Sequence, residues 1–111
     1  MKKLLALDPR PTAVFTGNDP MAIGAVYACR EAGLRVPEDI SIVGAGNIEG
    51  PHHPNPFLTT IEWPRTELGK FAGEVLLQAM SDEPGEPPRD KVFEPRLLVR
   101  QSTASVRAAG N

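Results

Sequence analysis

The 111-residue sequence predicts an α/β fold, a partial doubly wound parallel sheet built on one βαβ unit. Three observations carry that reading. A short apolar run at 13–16 is rich in strand-favouring side chains and passes at once through Gly17-Asn18 into the helix-opening pair Asp19-Pro20. An apolar repeat at helical spacing then runs to a glycine stop at Gly33. A second apolar strand, Ile40-Ser41-Ile42-Val43, follows the turn Pro37-Glu38-Asp39. Strand, helix and strand in that order make the two strands parallel, joined by a right-handed crossover.

Taken in order, Met1 to Leu7 read as the remnant of a helix. The apolar run is too short for a signal peptide and breaks at Asp8-Pro9-Arg10-Pro11. After the first strand, Asp19 is expected as the N-cap and Pro20 as the first helical residue. The helix buries Ala22, Val26, Cys29 and Ala32, leaves Arg30 and Glu31 outside that stripe, and ends with Gly33 at C′ and Leu34 as the accompanying apolar contact. Gly44-Ala45-Gly46-Asn47 close the second strand. Because the strands are parallel, Gly17-Asn18 and Gly46-Asn47 are expected at one sheet edge, the carboxyl edge where open α/β sheets bind ligands.

Beyond an irregular loop at His52-His53-Pro54-Asn55-Pro56, a third strand is expected over 58–61, then Glu62-Trp63-Pro64 and a long helix over 65–80. The stripe Leu68, Phe71, Ala72, Val75, Leu76 and Ala79 follows helical spacing and calls for burial. Covering its large members would contribute on the order of 10 kcal/mol. Residues 81–90 are polar and rich in Pro and Gly, a surface connection. Val92-Phe93 and Leu97-Leu98-Val99 are expected as two strand pieces split by Pro95. The domain therefore spans residues 1–104, with residues 105–111 as a disordered tail.

Composition narrows the function. Twelve basic and 14 acidic residues leave a formal net charge of −2, with the cations scattered and no aromatic-basic platform, so the 111 residues are not expected to grip DNA themselves. The one cysteine, Cys29, falls on the apolar stripe as a buried thiol, in keeping with a reducing cytoplasm. Neither a nucleophile with its base nor paired acids are visible, and the glycines near Gly44 lack dinucleotide-fingerprint spacing. No enzyme, cofactor, metal or membrane association is expected.

Pro11-Thr12-Ala13-Val14-Phe15, Asn18-Asp19, Met21-Ala22-Ile23-Gly24-Ala25, the run from Arg30 through Gly44, Leu58-Thr59-Thr60-Ile61 and Leu98-Val99-Arg100-Gln101-Ser102-Thr103 occur in an order and at spacings that resemble the lactose and galactose repressor family. The resemblance spans about Arg10 to Ala104. It implies the carboxyl-terminal part of a periplasmic-binding-protein-like sensor domain, incomplete without an N-terminal portion. The function it implies is effector sensing and dimerisation for a transcription regulator whose helix-turn-helix head and hinge lie outside these residues. The implied partners are a small-molecule effector, a sugar or related metabolite, and a second copy of the chain. A solute-binding protein for sugar transport is the alternative. The resemblance also implies that the 65–80 helix packs on another lobe, so that the isolated chain self-associates.

Roles carried over from the resemblance stand beside plainer readings. Asn18 matches an effector-contacting asparagine, and as a turn residue it would simply precede the helix. Gly46 departs from the family, many of whose members carry an aspartate there that accepts from the ligand. Asn47 either contacts ligand or serves the turn through its tolerance of positive φ. Trp63 matches an effector-facing position, and an indole there also suits a packed plug. Arg65 beside it is a weaker candidate. Ile23 and Tyr27 match the dimer interface, or else widen the core stripe. His52 and His53 are adjacent rather than at metal-ligand spacing and suit a loop at the subunit interface.

Overall fold

The computed structural model describes residues 1–48, 57–81, 85 and 90–106. The chain forms two units, Met1–Glu62 with Leu97–Asn111, and Trp63–Arg96. Its elements are α1 (Lys2–Leu5), β1 (Ala13–Phe15), α2 (Asp19–Glu31), β2 (Ser41–Ala45), β3 (Thr59–Glu62), α3 (Arg65–Met80) and β4 (Arg96–Leu98). One sheet runs β1-β2-β3-β4. β1 pairs parallel with β2, Phe15 opposite Val43, and β2 pairs parallel with β3, Ala45 opposite Ile61. The βαβ unit and its parallel register are as the sequence predicts.

α2 ends as its sequence requires. Gly33 sits at φ 74, in the left-handed region that glycine enters without a Cβ penalty. The Leu34 N–H donates to Cys29 O at 2.9 Å and the Gly33 N–H to Arg30 O at 3.0 Å, the paired bonds that satisfy the last carbonyls of a helix. Leu34 packs against the core in the bargain. That core is Ala22, Ala25, Val26 and Cys29 of α2 against Ile40 and Ile42 of the β2 strand and its approach. Burial pushes the Cys29 thiol above its ordinary pKa, partly offset by nearby positive charge at Arg10 and the N-terminus.

β2 runs one residue later than expected at its start and continues through Gly44 and Ala45. The glycine is no turn here. A Cβ on Gly44 would collide with Asp19 Oδ1 and lie 2.7 Å from Leu58 Cδ2, so the bare Cα lets a carboxylate and a leucine close on the strand. At the other end of the sheet the segment after β4 is stitched across β2 and β3. Ser102 Oγ accepts from the Thr59 N–H at 2.7 Å and donates to Ile42 O at 2.6 Å, while the Ile42 N–H donates to Ser102 O at 2.9 Å. The Gln101 N–H donates to Phe57 O at 3.0 Å, and the Ala104 N–H to Ser41 Oγ at 3.1 Å. These bonds replace the ladder that an irregular segment lacks.

The second unit departs from expectation at Val92-Phe93, and it leaves the α3 stripe without a full cover of its own. No residue of α3 is buried: Phe71 and Val75 are half-covered, whereas Leu76 remains 60% exposed. Within this unit the 90–93 segment meets only one part of the stripe, at Phe71. Val92-Phe93 forms no strand. Instead Phe93 meets the Phe71 ring edge-on at 5.8 Å, with Lys91 Nζ 5.5 Å from one ring centroid and 4.9 Å from the other.

The turn between α2 and β2 is locked by one ion pair. Arg35 Nε and Nη2 donate to the two Asp39 carboxylate oxygens at 2.9 Å each, the Arg35 N–H donates to the same carboxylate at 2.8 Å, and the Asp39 N–H returns a bond to Arg35 O. The guanidinium and backbone bonds hold the Asp39 carboxyl well below the usual carboxylate range. A folded-state value below the unfolded one contributes stability above the unfolded value, about pH 3.9, that is lost as pH falls through the folded value. The wild type is therefore expected to exceed Asp39→Asn in urea stability near neutrality, with the gap closing below about pH 4. A gap that stays constant across the titration would assign the difference to packing instead.

Candidate effector-binding edge

The carboxyl ends of β1, β2 and β3 share one edge, where Thr16 to Asp19, Gly46-Asn47 and Glu62 lie. Thr16 prepares it. Its N–H donates to Val43 O at 2.9 Å, and its hydroxyl is placed between Asn18 O at 2.9 Å and Val43 O at 3.1 Å. The chain therefore leaves β1 in a fixed direction.

The helix cap is Asn18, not Asp19. Asn18 is extended at φ −161 and ψ 169, its Oδ1 accepts from the Met21 N–H at 2.9 Å, and its carbonyl accepts from Ala22. Pro20 is accordingly the second helical residue, where its missing N–H is still one of those a helix start leaves unpaired. The two candidate caps are both good ones by residue type, and the position of the first turn decides between them. The Asn18 side chain is exposed, and its Nδ2 makes no hydrogen bond among the described residues.

Asp19, displaced from the cap, has a different task. It is buried, and its carboxylate accepts from the Thr60 hydroxyl at 2.6 Å and from the Ile48 N–H at 2.9 Å. Thr60 Oγ1, fully buried, lies 3.4 Å from the Asn47 N–H. One carboxylate thus ties the start of α2 to β3 and to the segment after β2.

Gly46 lies at φ 119 and its N–H donates to Ile61 O at 2.7 Å, which accounts for a glycine at this point of the chain. Asn47 follows at φ 46, a region that asparagine tolerates better than most residues. Its amide is engaged at both ends: Nδ2 donates to Glu62 Oε1 and Oδ1 accepts from an Arg100 guanidinium N–H, each at 2.8 Å. Among the described residues no buried side-chain polar atom lacks a partner. Thr60, Glu62, Arg100 and Ser102 were not singled out by sequence reasoning. The signal for three of them was the pair of short polar motifs at Leu58-Thr59-Thr60-Ile61 and Arg100-Gln101-Ser102-Thr103.

Trp63 opens the second unit and is 40% exposed; the Arg65 N–H donates to its carbonyl at 2.8 Å. On α2, Ile23 is half-buried and Tyr27 exposed, with Ala22 and Val26 taking the core positions. His52 and His53 lie outside the described residues. No group of three or more metal-ligating side chains occurs among the described residues, nor a helix long and apolar enough to cross a membrane.

An open parallel sheet with a capped helix start and a glycine-asparagine turn side by side at its carboxyl edge is the arrangement at which open α/β domains bind ligands. The chain belongs to the periplasmic binding protein-like domain family, whose pattern matches residues 1–103. It is 45% identical over 104 residues to the HTH-type transcriptional repressor PurR of Escherichia fergusonii, covering 94% of this chain and 30% of that protein. It is 43% identical over 107 residues to the ribose operon repressor of Haemophilus influenzae, covering 96% of this chain and 32% of that one. Among solved structures, a LacI family transcriptional regulator from Enterococcus faecium with bound ribose superposes with a TM-score of 0.79 at 36% identity, over 96% of this chain and 38% of that one. The chain thus spans about a third of the length of the curated relatives it matches. The resemblance to the lactose and galactose repressor family holds: two of these relatives are repressors and the third is a LacI family transcriptional regulator.

Proposed function

We propose that this chain is the effector-sensing and dimerisation part of a LacI-type transcription regulator. It binds a sugar or related metabolite in the cytoplasm, performs no catalysis, and controls DNA binding by a helix-turn-helix head outside the 111 residues. The observation that carries the reading is the likeness to repressors over nearly the whole chain, joined to an exposed Asn18 amide at the carboxyl edge. A small molecule shifts such a regulator only by binding one arrangement better than another, so polar groups held rigidly at the edge are what the function needs. Asn18 supplies a direct contact through Nδ2. Gly46, with its N–H already used, offers its carbonyl, and Asn47 serves the same turn. Trp63 is a further candidate contact by its residue type, an indole able to stack on a ligand ring. Ile23 and Tyr27 on α2 are the proposed dimer contacts.

Calorimetric titration of the complete regulator carrying this segment, with ribose first and then a panel of sugars, tests the reading. Asn18→Asp keeps a good cap and removes the amide donor, so it is expected to weaken effector binding by about 1–3 kcal/mol with thermal stability held. Asn18→Ala should lose the same affinity and about 1 kcal/mol of stability as well. If Asn18→Asp binds like the wild type, Asn18 is a cap and nothing more.

A further inference from the structure

The chain leaves its first unit after Glu62 and returns to it at Leu97. One side chain touches both passages. Asn47 Nδ2 donates to Glu62 Oε1 on the outgoing strand, and Asn47 Oδ1 accepts from Arg100 just beyond the point of return, each at 2.8 Å. Arg100 is itself anchored to the outgoing strand, through a guanidinium N–H to Leu58 O at 3.2 Å and its backbone N–H to Thr59 Oγ1 at 2.9 Å. Asn47 is 6% exposed and its two partners are half-buried, so the network is largely shielded from water, where satisfied polar groups favour a single arrangement.

We propose that Asn47 is a positioning residue whose amide clamps the outgoing and returning strands together at the edge that carries Asn18. The amide suits this task in two ways. It presents a donor to the Glu62 carboxylate and an acceptor to the Arg100 guanidinium, a polarity that neither a carboxylate nor an ammonium can offer. Its residue type also tolerates the backbone at φ 46. An aspartate at this position would keep the bond from Arg100 and set one carboxylate against another at Glu62.

Backbone hydrogen exchange on the ligand-free protein tests the clamp. Asn47→Gly is the cleanest probe, because glycine accepts the positive φ and removes only the side chain. It is expected to speed exchange by about tenfold in both 59–62 and 97–101, with 13–31 unchanged. Asn47→Asp should do the same, and adding Glu62→Gln should restore slow exchange, since the glutamine amide then donates to the new carboxylate while Arg100 keeps its acceptor. Acceleration spread evenly over the chain, confined to one of the two segments, or absent would overturn the proposal, as would failure of the double substitution to restore protection. The rescue arm decides the matter even if Asn47→Gly lowers overall stability. The clamp rests on the sensor reading only for its consequence, weaker effector binding in the same variants. Exchange needs no effector, so failure of the sensor reading and failure of the clamp give different results.

Discussion

Asp19→Ala is expected to destabilise the first unit by about 3 kcal/mol, because it strips the acceptor from two donors at once, the buried Thr60 hydroxyl and the Ile48 N–H. Asparagine caps helices as well as aspartate does, so a capping role would make Asp19→Asn nearly silent. In the observed arrangement Asp19→Asn instead points an NH2 at one of two donors, and a loss of about 2 kcal/mol is expected. Urea unfolding of both variants checks this, and a silent Asp19→Asn would refute the tie. The carboxylate also explains Gly44. Gly44→Ala alone drives a methyl into Asp19 Oδ1 and Leu58 and tightly against Ala22 Cβ, whereas in an Asp19→Ala background the contacts with Leu58 and Ala22 are left. The two losses should therefore fall short of additive.

The second large effect is expected at Ser102. Its hydroxyl satisfies the Thr59 N–H and the Ile42 carbonyl from a position with no solvent exposure. Ser102→Ala leaves two buried backbone groups without those bonds, at a cost of about 1–3 kcal/mol for each group. A total near 3 kcal/mol is a large share of the stability of any small domain. The midpoint of urea unfolding should fall with little change in slope, and a change under about 0.5 kcal/mol would mean that water replaces the hydroxyl without penalty.

The backbone plan was legible because it rests on local chemistry. Gly33 with Leu34 announces the end of α2, the stripe of Ala22, Val26 and Cys29 announces its buried face, and two apolar strands about one helix apart announce a parallel pair. The bounds Arg65–Met80 of α3 were equally plain. What lay beyond reading were the partners of polar side chains across long sequence gaps. Whether Asn18 or Asp19 caps α2 turns on a difference of one residue in where the helix begins, and the Thr60 hydroxyl that claims Asp19 is 41 positions away. Likewise nothing local to Asn47 says that Glu62 and Arg100 will take both ends of its amide. The α3 stripe shows the converse: periodicity reveals which face is apolar and is silent on what covers it.

Cys29 turns the packing of α2 on the sheet into something that can be timed. The thiol has no solvent exposure and its proton is held more tightly than in a free cysteine, so an alkylating reagent cannot reach a thiolate while the helix is seated. As the only sulfhydryl in 111 residues, it gives a single modification event per molecule. The speed of labelling under native conditions then reports how often the α2 interface parts, a lifetime for one contact surface rather than an average over the whole fold.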